Sequence, residues 1–336
     1  MTATSANESL SIKIERVKAM TVKGSGLNGC LLFSTILFES CSGEGPTGEL
    51  GFVVVLGMLG FGLIIWMIEK GKSGGSRRPS SRLTNERGIL LDKMLEQKKG
   101  MQLDSRQRRL IAENIGLYHW LPENLMGVWE ERILTFLDHF AFTEMKHGQL
   151  TEEMRLLVAA EACLLIVKRP LSDYRHLRAI HLWEDEIEGN ENARGTATRH
   201  EVNLSWSYLK KTIGQARDGH NLTLHEFAHV IDFADDGVAQ SIPVSQHSED
   251  FAEWQSLVNE QHKKLMKAYE GGKNYSIRAY GGYESIKGDK PELFSCGTSA
   301  FFERGSRLKR ECPKVYRIFK DFYGVDPAHW RKQKRE

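Results

Sequence analysis

The run His225-Glu226-Phe227-Ala228-His229 places two imidazoles four residues apart, with a carboxylate beside the first. On a helix, positions four apart share a face, so both rings can reach one zinc ion. Zinc lowers the pKa of a ligated water to about 7, and Glu226 stands where it can take that water's proton. The chemistry expected is metal-assisted hydrolysis, with His225 and His229 as ligands and Glu226 as general base. Leu222, Thr223, Leu224, Phe227, Ala228, Val230 and Ile231 around them are uncharged. Such a helix should be buried, where two histidines and a glutamate are costly without a metal. Asp232, three residues past His229, is close enough to orient an imidazole.

A catalytic zinc takes three protein ligands and leaves one position for water. Val-Ile-Asp-Phe-Ala-Asp-Asp-Gly after His229 lacks the third histidine of HExxHxxGxxH, so a glutamate on a second helix is expected. Residue types alone leave Glu249, Glu253, Glu284, Glu292 and Glu303 open. Glu292 fits best, because Asp289 can cap its helix and Pro291 suits a first turn. Tyr280 and Tyr283, in a Tyr-Gly-Gly-Tyr loop, and His247 are candidate oxyanion donors.

The elements that position these residues follow from periodicity. Helices are expected over residues 104–116 (Leu110 and Ile111 inward), 126–140, 150–167, 222–233 and 249–269. Thr151 is the expected N-cap of the third, and Pro170 follows its end. Alternation of Ile180 and Leu182, and of Val202 and Leu204, with their neighbours predicts strands over 177–183 and 201–206. Helices, then strands, then helices indicate an α+β fold. The strand ending at Trp206 is expected to be the sheet edge, where an extended peptide substrate adds by β-pairing.

The 336 residues are 40% hydrophobic and 27% charged, with net charge +2, which gives no reason to expect direct nucleic-acid binding. Five cysteines include no CxxC pair, which argues against a cysteine zinc cluster; Cys163 reads as a buried small hydrophobe. Cys30 and Cys41 can pair if they lie outside the cell. Residues 50–68 carry no charge and are long enough to cross a bilayer as one transmembrane helix. Lys70, Lys72, Arg77, Arg78 and Arg82 follow it, and no Lys or Arg occurs from Cys30 to Glu49. The positive-inside rule then places the C-terminal bulk in the cytoplasm. Residues 31–38 are apolar but too short to span, and Gly24 to Gly29 match GxGxxG without the strand that a dinucleotide site needs. The expected organisation is a non-cytoplasmic segment 1–49, a span 50–68, a flexible basic linker 69–88, a peptidase domain 89–330 and a basic tail 331–336.

Several segments together resemble the Mlc titration factor A family of zinc peptidases. They are Leu-Tyr-His-Trp-Leu-Pro at 117–122, TEEMRLLVAAEACLLIVKRPLSDY at 151–174, Val-Asn-Leu-Ser-Trp at 202–206, NLTLHEFAHVID at 221–232 and PELFSCGTSAFFE at 291–303. The resemblance implies a zincin-like domain, with a small mixed sheet, an HExxH helix and a downstream glutamate helix. It implies one Zn2+ per chain held by His225, His229 and Glu292. Two activities come with it: aminopeptidase-like cleavage of a peptide or protein substrate, and an alternative role as a regulatory protein that sequesters a transcriptional repressor while zinc holds its shape. The family's second glutamate in the downstream helix falls on Ser299. Some members have a further histidine upstream of the Val-Leu-Ser-Trp strand, but none occurs between His181 and His200.

Overall fold

Four strands form one sheet in the order β1-β2-β4-β3. They are β1 (Ala141–Thr143), β2 (Ala179–Trp183), β3 (Gly195–Ala197) and β4 (Glu201–Ser205). The computed structural model describes residues 81–143, 148–188, 193–235, 237–271, 277 and 292–333. The expected outer segment, the span 50–68, Cys30, Cys41, Tyr280, Tyr283, Glu284, Asp289 and Pro291 lie outside the described residues. Among the described residues no helix is long and apolar enough to cross a membrane.

β1 and β4 both run parallel to β2, and β3 runs antiparallel to β4, pairing Gly195 with Leu204 and Ala197 with Val202. Parallel neighbours need a crossover, and α4 (Glu152–Leu165) supplies it between β1 and β2. The Thr151 side chain accepts the N–H of Met154 at 3.2 Å and caps that helix as expected. Residues 156–165 of α4 are all buried, Cys163 included, so α4 is a central rather than an amphipathic surface helix. Before it come α1 (Ser81–Gln97), α2 (Ser105–Asn114) and α3 (Glu123–His139). Trp129 of α3 is fully buried, and its indole N–H donates to Ala160 O of α4 at 2.9 Å.

β4 is an interior strand, which corrects the expectation that it forms the edge. Its backbone is paired on both sides, and among the described residues the edge beyond it is β3. The strand also ends one residue early, because Ser205 caps a new helix, α5 (Trp206–Ile213). Of the expected linker 69–88, residues 69–80 lie outside the described residues, and residues 81–88 belong to α1, whose Leu91 is fully buried.

The site is carried by α6 (Leu222–Asp232) and α8 (Glu292–Glu303), with α7 (Phe251–Glu270) between them in sequence. Next come α9 (Gly305–Glu311) and α10 (Pro313–Tyr323). Phe319 and Tyr323 of α10 pack their rings on Phe294 and Phe301 of α8, and Thr298 and Tyr323 share a hydrogen bond of 2.7 Å. Thus α8 is braced from behind by an aromatic cluster while its other face meets α6.

Candidate metal centre

Every residue of α6 is buried. Asn221 starts the helix: its side-chain oxygen accepts the N–H of Leu224 at 2.9 Å, a cap typically worth about 1 kcal/mol. One turn apart, the rings of His225 and His229 stand edge to face with centroids 5.0 Å apart.

Three contacts along their length show that α8 runs antiparallel to α6. Glu292 meets His225 and His229, the Ser299 hydroxyl lies 3.4 Å from Asn221 O, and Glu303 Oε2 accepts the N–H of His220 at 2.9 Å. Glu292, Cys296, Ser299 and Glu303 follow one another at spacings of four, three and four, which puts them on one face.

At one end of that face, Glu292 Oε2 lies 3.1 Å from His225 Nε2 and Glu292 Oε1 lies 3.6 Å from His229 Nε2. The three ligand atoms all lie within 4.8 Å of one another. Tetrahedral bonds of about 2.0–2.2 Å set neighbouring ligand atoms about 3.3–3.6 Å apart, so these residues fit a divalent ion. Burial alone would raise the Glu292 carboxyl, but hydrogen bonds from His225 and His229 outweigh it and hold the group well below the usual carboxylate range. Burial pulls His225 down, yet hydrogen bonds to Cys296 and Glu292 leave it well above an ordinary histidine. The pocket is built for positive charge.

Glu226 is 4% exposed, and its carboxyl is raised by burial, against the pull of His225 and His229. It abuts β3: a Cβ built on Gly195 would come 2.7 Å from Glu226 Cγ and Cδ. A side chain at this position would press on the carboxylate that the strand passes.

The other expected participants are elsewhere. Asp232, expected to orient an imidazole, instead accepts the backbone N–H of Ser241 at 2.7 Å, with further bonds from the backbone of Gln240 and Ile242. The reason is that the chain reverses after α6, and a buried loop needs its N–H groups satisfied. His247, Glu249 and Glu253 are exposed, and Glu253 pairs with Arg317. His181 bonds Thr143 at 2.7 Å, and His200 bonds the His176 carbonyl at 2.9 Å. Glu303 lies at the far end of α8, about 16 Å from Glu292 at 1.5 Å per residue. Burial first, then the charges of Asp218 and Glu161, push its carboxyl well up.

Two residues of the centre were not foreseen. Cys296, buried and hydrogen-bonded to His225, follows Glu292 by one turn, a spacing legible once the helix is known. Gly195 sits on a strand too short to show alternation.

An uncharacterized protein of Synechocystis sp. is 25% identical over 234 residues, covering 65% of this chain and 83% of that protein. Mlc titration factor A of Edwardsiella ictaluri is 27% identical over 152 residues, 43% of this chain and 55% of its own length. Mlc titration factor A of Pectobacterium atrosepticum is 27% identical over 126 residues, 37% and 44%. The chain thus spans about half the length of these two relatives. Residues 91–324 match the glucose-regulated metallo-peptidase M90 family, and with a metal-fitting His-His-Glu cluster inside that stretch, the chain belongs to this family of metallopeptidases.

Proposed function

We propose that this protein is a zinc peptidase, with His225, His229 and Glu292 as ligands and Glu226 as general base. The observation that carries the reading is the convergence of two imidazoles and a carboxylate from separate helices, with Glu226 next to them on the same buried helix. When bound, zinc supplies Lewis-acid activation of the attacking water and of the scissile carbonyl. Glu226 accepts the proton of that water and returns it to the leaving amine. Among the described residues β3 is the outer strand, and it offers an extended substrate its free side, so the peptide lies along Gly195 beside the Glu226 carboxylate. Cleavage is aminopeptidase-like, a specificity that rests on the family resemblance.

Peptide hydrolysis by the full chain, stripped of metal and then reloaded with zinc, tests this reading beside Glu226→Gln. The expected outcome is zinc-dependent cleavage that falls about 10²–10⁴-fold in the variant, with zinc still bound. Cleavage indifferent to both zinc and Glu226 would overturn it.

Two relatives bear a name that speaks of titrating Mlc, and this favours a second reading. In it the protein binds a transcriptional regulator and zinc holds its shape. Regulator binding retained in Glu226→Gln, with no peptide cleaved by the wild type, would put this reading first. Residues 50–68 anchor the chain, with the peptidase domain in the cytoplasm. Deleting them should release it from sedimented membranes.

A further inference from the structure

The end of the histidine helix and the start of the glutamate helix are joined by a chain of hydrogen bonds. Asp232, the last residue of α6, is 1% exposed, and its Oδ2 accepts the N–H of Ser241 at 2.7 Å. The Ser241 hydroxyl oxygen in turn accepts the N–H of Phe294 at 2.9 Å, across 53 positions of sequence. Phe294 lies two residues past Glu292 in the first turn of α8, where backbone N–H groups have no partner within the helix. Ser241 therefore does for α8 what an N-cap residue does, from a distant loop.

The backbone at Ser241 makes this contact informative. Its φ is 61°, the one positive value at a non-glycine among the described residues, and the residue is 0% exposed. That conformation crowds an L side chain and suits glycine. A serine held there runs against backbone preference, and what it adds over glycine is its hydroxyl. Strain of this kind persists where the surroundings over-determine it, typically near functional sites. Here the surroundings are the Asp232 carboxylate on one side and the α8 amide on the other.

Packing does not do the same work. Phe294 is clasped by Trp254, Phe319 and Tyr323, which fixes where the helix lies. Glu292 is its first residue, so the direction of its carboxylate depends on the first turn being closed. We infer that Ser241 is a positioning residue of the metal centre, keeping its strained backbone because its hydroxyl closes the first turn of α8 and sets Glu292 against His225 and His229. The inference rests on reading those three residues as metal ligands.

The test uses the full chain, with Ser241→Gly and Ser241→Ala. Glycine removes both the hydroxyl and the strain; alanine removes the hydroxyl alone. Zinc affinity is read by competition with a chromophoric chelator, and the thermal midpoint is read on protein stripped of metal. Both variants should bind zinc about 10–100-fold more weakly, while stripped Ser241→Gly should melt at or above the wild type. If alanine prevents folding, glycine carries the test. Ser241→Gly binding zinc as tightly as wild type overturns the inference, and so does a stripped Ser241→Gly that loses stability along with zinc, since that marks a general structural role. A wild type that takes up no zinc sinks the ligand reading itself, a result distinct from either.

Discussion

Glu292 and Glu303 occupy the two ends of one helix and face the same partner, yet their environments are opposite. The Glu292 side chain is 24% exposed and meets two imidazoles, which hold it ionised. Glu303 is 5% exposed and meets Asp218, Glu161 and the backbone N–H of His220; burial and the neighbouring acids push its carboxyl well up. The helix delivers both carboxylates to α6 equally well. The residues opposite decide which carboxylate is suited to a cation and which is pushed toward its protonated form.

The sharpest way to break this contrast is to neutralise each end. Glu292→Gln should weaken zinc binding by more than the about 10–100-fold that outer partners cost, while Glu303→Gln should leave zinc affinity unchanged. Chelator competition on both proteins decides it, and loss of zinc in the second would mean that the two ends are coupled.

A smaller effect is expected from Gly195→Ala. The added methyl presses on Glu226, so kcat should fall by up to about 100-fold, the scale of a misplaced catalytic group. Zinc content, measured by metal analysis, should stay at the wild-type level. Equal loss of both would show that β3 supports the whole Glu292 end rather than the base alone.

The smallest effect concerns pH and the far end. Glu161 is raised by burial from 4.5 to about 8, against hydrogen bonds from Asn221 and Thr223. The folded chain then keeps a proton that the unfolded chain releases, so this contribution is full below pH 4.5 and is lost as pH rises to about 8. Glu161→Gln should flatten the fall in thermal midpoint across that window. The metal-stripped Glu292 end has the opposite sign: its lowered carboxyl stabilises above the ordinary glutamate range and loses that as pH falls.

Much of the site was legible because it is local. His225, Glu226 and His229 lie within one turn, Asn221 caps them, and α6 spans Leu222–Asp232 against an expected 222–233. Long-range facts were harder. By residue type Glu292 stood among five glutamates; a capping residue and a first-turn proline favoured it and the family resemblance strengthened it, but the partners that distinguish it sit on another helix. β1 and β3 have three residues each, too few to show a period of two, and without β3 the interior strand β4 read as an edge. Asp232 was read toward the imidazoles because sequence spacing does not show that the chain turns back at Ser241.

The residues proposed as ligands span a long stretch of chain. A cation gripped by His229 and Glu292 staples shut a loop of about 60 residues, and closing a loop of that length removes a few kcal/mol of freedom from the unfolded chain. An ion held there would be a knot in the chain as well as a reagent. Chelation should expose the stretch between the two helices to added proteases well before the sheet gives way, which makes the resistance of the intact protein to digestion a gauge of metal supply.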